Sequence, residues 1–316
     1  MNKEYEDDLD HSWKPNLFVP GFPKCGTSAL CDYLSQHKDI YVIEKKEPHS
    51  LTKGLPPSKF EIAHHNFRRT SWIHLPYDKY KRLYMQNKNK RYRVDGSQSL
   101  SGIDKSIDIP LYIKNFSPQA KIILMIREQT KRLISFYLFG RMIGIYNDEF
   151  DKWLERVSPY IDDFLFYDKI VRFYEVYNND VIVISNNSLL TNPQHVMDNV
   201  FEFLGLEKIQ VNILHSNETF IIGNKIIDNL YWYTSHTGQK LAITLKDLPY
   251  GNIIIERIMS PLYRRITDST RKTFGSKPHL IYQKLLAQIP SNINNLLIED
   301  YEKSVSFLRA KKRIIE

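Results

Sequence analysis

The stretch that most constrains what this chain can become is residues 16–34. Leu17, Phe18 and Val19 form a short apolar run, suited to a strand buried on both faces. Gly21, Pro23 and Gly26 punctuate the loop after it. Thr27 or Ser28 can then cap a helix whose apolar side is Leu30, Tyr33 and Leu34. A glycine loop that enters a helix N-terminus after a strand offers N–H groups and a positive dipole end, which together suit phosphate. Gly21 and Gly26 have the spacing of the GxxxxGK[ST] loop, but Thr27 stands where that loop has its lysine, and the lysine is inside the loop at Lys24. Pro23 fixes the backbone just before it. Such a loop can cradle phosphate with the lysine approaching from elsewhere, which argues against ATP with magnesium. The plain alternative is a strand-to-helix turn that uses glycine only for its geometry.

A second motif bears on that choice. Residues 121–126, Lys-Ile-Ile-Leu-Met-Ile, read as a buried parallel strand, with Arg127 at its C-terminal end. Arg132, Ser135 and Phe136 come next at helical spacing. An arginine fork matches phosphate, and a serine hydroxyl adds a donor. A third group lies just beyond the strand expected at Ile40–Ile43. Pro48 biases Glu47 toward extended backbone, and in extended chain Glu47 and His49 point to one side. A carboxylate beside an imidazole beyond a strand's C-terminal end lies where α/β proteins keep their chemistry; the plain alternative is a solvated charge run.

Elsewhere the patterns predict a loose arm over 1–15 and short surface helices within 53–90. They predict a strand over Arg91–Asp95 ending at Gly96-Ser97, and a helix over Ser106–Phe116. Beyond these come a long helix over Ile161–Tyr177, a strand at Val181–Ile184 and a turn at Asn187–Leu190. A helix over Pro193–Leu204 is closed by Gly205, and an amphipathic helix over Asn295–Lys311 is expected to pack on the core. Residues 209–290 carry no assignable pattern. Adjacent His64 and His65 lack a carboxylate or cysteine at ligand spacing, so no metal is expected.

The net charge, +8 from 44 Lys and Arg against 36 Asp and Glu, favours anionic partners. Neither zinc-ligand spacing nor an RNA-binding aromatic motif is present, so nucleic acid is not expected as one of them. No apolar run approaches the ~18 residues of a membrane span, and the polar, acidic start Met-Asn-Lys-Glu-Tyr-Glu lacks the layout of a secretory signal. Cys25 and Cys31, the only cysteines, stand too far apart along one helix start for a disulfide, which fits a reducing compartment. The expectation is a cytoplasmic protein, with no stable membrane insertion.

The segment Pro-Lys-Cys-Gly-Thr-Ser-Ala-Leu resembles the loop by which sulfotransferases dependent on 3′-phosphoadenosine 5′-phosphosulfate (PAPS) hold the 5′-phosphosulfate. The pattern of strand, Arg127 and, eight residues on, Ser135 resembles that family's grip on the 3′-phosphate; Arg132 matches a further arginine, and Gln129 departs from the usual proline. The Lys-Glu-Pro-His group at 46–49 is similar to glycan sulfotransferases, the phrase Val-Phe-Glu-Phe-Leu-Gly-Leu resembles sulfotransferases generally, and the whole resembles the bacterial type. The resemblance covers about residues 16–205 and the tail. It implies an α/β fold in one domain, residues 16–316, with a parallel sheet of about five strands and helices on both faces, and a helical region over 209–316. It implies cofactor contacts from Lys24, Cys25, Gly26, Thr27, Ser28, Arg127, Ser135 and Tyr167. Acceptor contacts would come from Lys46, Ser97 and Arg141. It implies sulfuryl transfer from PAPS to a carbohydrate hydroxyl, less readily an amine, with Lys24 on the leaving phosphate, Glu47 as general base, His49 as the rival base, and no metal. A small-molecule kinase and a non-catalytic nucleotide-binding module are the two other readings; the kinase would need a lysine after Gly26.

Overall fold

The computed structural model describes residues 11–44, 47–52, 59–65, 75–101, 107–145, 147–213, 221–222, 225–246, 254–276 and 279–316. Its strands are β1 (Leu17–Phe18), β2 (Ile40–Val42), β3 (Tyr92–Asp95), β4 (Lys121–Ile126), β5 (Val181–Ser185), β6 (Ile221–Ile222), β7 (Gly275–Ser276) and β8 (Ile314–Ile315). Six of them form one parallel sheet in the order β2-β3-β1-β4-β5-β8, one strand more than expected. The added strand is β8, paired with β5 through Val183↔Ile314. Two isoleucines at the sheet edge carry no periodicity that sequence reading could detect, and only the turn at Lys312 (φ 54) sends the chain back to that edge. β6 and β7 form a separate antiparallel pair.

Helices connect the strands. α1 (Thr27–Leu34) comes after β1; α2 (Lys59–His65) and α3 (Tyr77–Met85) precede β3, and α4 (Ile109–Phe116) leads to β4. α5 (Gln129–Met142), α6 (Phe150–Val157) and α7 (Tyr167–Tyr177) lie between β4 and β5; α8 (Asn186–Thr191), α9 (Pro193–Leu204) and α10 (Lys225–Lys246) come after it. Three further helices, Ser260–Phe274, His279–Leu286 and Ser291–Ala310, complete the chain. Local chemistry sets several ends. Asp108 caps α4 by accepting from Leu111 N. Asn192 caps α9 by accepting from His195 N, and Gly205 closes it at φ 64.

One apolar core surrounds the sheet, with β4 and β5 buried along almost their whole length. A second gathers the buried side of α5 with Trp153, Phe164, Ile289 and Leu297, so the C-terminal helix packs on the body of the protein.

Four expectations need correction. Residues 11–15 are not a loose arm: Trp13 is fully buried, with its ring edge-on to Tyr80 and Phe116. α3 is more than a surface helix, because its Tyr80 and Tyr84 are fully buried and Tyr80 Oη donates to Asp95 at the end of β3. Residues 186–191 form α8 where a turn was expected. The long helix over 161–177 is broken: a 3₁₀ segment, Ser158–Phe164, ends before α7 begins at Tyr167. The break has a cause. Phe164 O accepts from Arg132 Nη1 at 2.5 Å, while Phe166 N and Tyr167 N donate to the Asp300 carboxylate at 2.8 and 3.2 Å, so the backbone groups that would carry the helix through are used elsewhere.

Candidate active site

The strand order reverses direction at β1, whose neighbours are β3 on one side and β4 on the other. In parallel sheets the crevice at such a point, beyond the strands' C-terminal ends, is where ligands bind. Four of the segments singled out in the sequence lie past these ends: the loop 21–28 after β1, Glu47–His49 after β2, Ser97 after β3 and Arg127 after β4.

The loop is shaped by two close approaches. A Cβ on Gly21 would fall 2.2 Å from Thr27 Cγ2; one on Gly26 would fall 2.5 Å from Asn186 Nδ2, and Gly26 has φ 95 besides. Both positions therefore demand glycine. Gly26 is itself the N-cap of α1 and no side chain caps the helix, so neither Thr27 nor Ser28 plays the capping part expected of it. The first N–H groups of α1 are thus those a helix leaves without helical partners. Cys25 contributes little beyond geometry. Its N–H is spent on Phe22 O, its thiol is buried, and burial pushes the thiol up to about 11, so it is an unreactive packing residue.

Lys24 lies in the left-handed region, φ 67, a strained conformation for a side-chain-bearing residue. Its ammonium sits over the Phe139 ring at 4.0 Å. Burial first, and then the nearby charge of Arg127, lower it to about 8, while the Glu47 carboxylate pulls the other way. Arg127 donates from Nη1 to Lys24 O and from Nη2 to Tyr282 Oη, both at 3.3 Å. Ser135 is buried two turns further along α5. Two cations and a helix N-terminus on one crevice form a donor set matched to a polyanion.

Glu47 and His49 meet, with Oε2 to Nε2 at 3.2 Å. The reason is not the extended chain expected: His49 has φ 52, and a turn brings the two together. The imidazole is 6% exposed and the carboxylate 35%. His49 is held from below, by Ser99 Oγ at Nδ1 (2.9 Å) and by Ser97 Oγ, which accepts from its backbone N (2.9 Å). Ser97 N in turn donates to the buried Asp95. Ser97 is thus 1% exposed and anchors the turn that carries His49. Lys46 lies outside the described residues.

The remaining expected residues lie apart from these contacts. Tyr167 packs edge-on to Phe307 and under Lys303 Nζ (3.8 Å) on the C-terminal helix. Arg141 is in the last turn of α5 and donates to Asn147 O at 3.3 Å. Arg132 is fully buried and donates to Pro23 O at 3.0 Å and to Gln129 Oε1 at 3.1 Å; it lies over the Phe164 and Phe166 rings at 3.7 and 4.5 Å. Gln129 hands the network on to Asp300. The glutamine that replaces the usual proline is thus a buried link between the loop and the C-terminal helix.

Sequence reasoning missed Asn186, Ser99, Asp300 and Tyr282. Asn186 and Ser99 stand just past the C-terminal ends of β5 and β3, where a parallel sheet gathers its chemistry, so strand position was a signal that could have found them. Asp300 and Tyr282 carry no local signal. Among the described residues no group of three or more His, Cys, Asp or Glu could hold a metal, and no helix is long and apolar enough to cross a membrane.

Residues 14–225 match the family described as the sulfotransferase domain, and the chain belongs to that family. Carbohydrate sulfotransferase 15 of Mus musculus is 26% identical over 163 residues, an alignment covering 43% of this chain; the chain spans only 29% of that protein's length. The crystal structure of a sulfotransferase from Alicyclobacillus acidocaldarius superposes with a TM-score of 0.52 at 24% identity, covering 76% of this chain and 99% of that one. This likeness bears on the fold, the α/β arrangement with a parallel central sheet.

Proposed function

We propose that this chain transfers a sulfuryl group from PAPS to a hydroxyl of a carbohydrate acceptor, with Glu47 as general base. The observation that carries the reading is that the glycine loop with Lys24 follows β1, the Glu47–His49 pair follows β2 and Arg127 follows β4, at the C-terminal ends of strands of one parallel sheet, with Arg127 Nη1 donating to Lys24 O. The residues fit the donor: Lys24 and the start of α1 would hold its 5′ end, and Arg127 and Ser135 its 3′-phosphate. PAPS supplies an activated sulfuryl group on a phosphate leaving group.

The chain's own residues then do three things. They align the acceptor oxygen for in-line attack, where positioning accounts for much of the rate. Lys24 offsets negative charge growing on the leaving phosphate. Glu47 takes the acceptor's proton. The half-exposed carboxylate can reach an acceptor, whereas the imidazole is sunk and engaged at both ring nitrogens, so His49 suits the task of holding Glu47. The carbohydrate class is supported by the name of the mouse relative and by the resemblance of Lys46–His49 to glycan sulfotransferases.

Radiolabelled PAPS offered with a panel of glycans tests the reading. Glu47→Gln keeps the shape and removes the basicity, so it should bind the product adenosine 3′,5′-bisphosphate (PAP) normally and transfer about 10²–10⁴-fold more slowly. Near wild-type transfer by Glu47→Gln, with loss in His49→Ala, would move the base to His49.

A further inference from the structure

Tyr282 belongs to the helix His279–Leu286, beyond the residues 14–225 that match the family. Its phenol is nevertheless a junction at the Arg127 corner. Tyr282 Oη donates to Lys131 O in the first turn of α5 at 2.7 Å and accepts from Arg127 Nη2 at 3.3 Å. A phenol has one proton. With that proton on Lys131 O, Tyr282 faces Arg127 as an acceptor. The guanidinium is therefore held from two sides, by Lys24 O of the loop and by Tyr282. Two of its five N–H donors are spent on these anchors and three are left to turn toward a ligand.

We propose that Tyr282 is a positioning residue for recognition of the donor's 3′-phosphate: its hydroxyl fixes the direction of Arg127, and the helix 279–286 is thereby part of the donor site. This rests on the PAPS reading above. The consequence is selectivity. Adenosine 5′-phosphate, which lacks the 3′-phosphate, makes no use of the corner that Tyr282 organises.

Calorimetric titration with PAP and with adenosine 5′-phosphate tests it. Tyr282→Phe keeps the ring and its packing and removes only the hydroxyl. It should weaken PAP about 5–10-fold and leave adenosine 5′-phosphate within about twofold. In an Arg127→Ala background the same change should cost nothing more, because the residue it positions is gone. A role limited to packing would instead weaken both nucleotides alike, in either background. If wild type prefers PAP and Tyr282→Phe keeps that preference in full, the proposal falls while the PAPS reading stands. If wild type itself does not discriminate between the two nucleotides, the PAPS reading falls and takes the proposal with it.

Discussion

Arg127 and Arg132 lie five residues apart in sequence, and their surroundings are opposites. Arg132 is fully buried, caged by Phe22, Phe164 and Phe166, bonded to the carbonyls of Pro23 and Phe164, and linked through Gln129 to Asp300. Burial lowers it to about 10, so it remains a cation at neutral pH. Its Nε and Nη1 donors are directed inward, onto Pro23 O, Gln129 Oε1 and Phe164 O. Arg127 and Lys24 crowd each other at the mouth of the same loop, with long contacts of 3.3 Å and a lysine lowered to about 8. One group is held at short range by backbone and side-chain acceptors of the protein, and the other only by two long contacts. The number of positive charges does not separate structure from function; what separates them is whether the fold has already used the donors.

Breaking each cluster should therefore give different failures. The largest effect is expected for Arg132→Ala. It leaves buried carbonyls without partners and opens a space among three rings, and it should destabilise the fold by about 3–5 kcal/mol in chemical denaturation. A loss below about 1 kcal/mol would show that the loop does not depend on this cage.

Arg127→Ala should do the reverse. Stability should stay within about 1 kcal/mol of wild type, while PAP affinity falls by on the order of 2–3 kcal/mol, read by calorimetry. Equal affinity for wild type and variant would remove Arg127 from the phosphate corner and merge the two clusters into one kind.

The smallest effect is one of pH. Lys24 loses its proton near pH 8 in the free protein, and a bound polyanion holds that proton to higher pH. PAP affinity should be flat below pH 8 and fall above it by up to about tenfold per pH unit, with proton uptake on binding; Lys24→Met should lack this slope. The stability of the free protein runs the other way. Because the unfolded lysine keeps its proton up to its ordinary 10.5, the unfolded state binds more protons between about 8 and 10.5, and stability contributed by this group rises with pH through that window. An affinity independent of pH from 7 to 9.5 would place Lys24 away from the charge of the ligand.

How much of this was legible in advance depends on range. The loop 21–28, the strand Lys121–Ile126 and the capped helix Pro193–Leu204 are written in local signals: glycines, a continuous apolar run, Asn192 before Pro193, Gly205 after Leu204. Glu47 and His49 were paired correctly for the wrong reason, since two residues near one another in sequence can meet through a turn as well as through a strand. Gln129 looked like an idle departure from a pattern because its partners, Arg132 and Asp300, are 3 and 171 residues away.

The sequence by itself determined the alternation of strands and helices, the parallel sheet, and the places of a glycine loop and an arginine at two strand ends, because each is encoded within about ten consecutive residues by periodicity and backbone preference. Only the tertiary structure decided which charges are spent and which are available. Arg132 and Arg127 carry the same side chain; the difference lies in Asp300, reached through Gln129, and in Tyr282, partners brought from the far end of the chain by burial of an apolar core that no local pattern specifies.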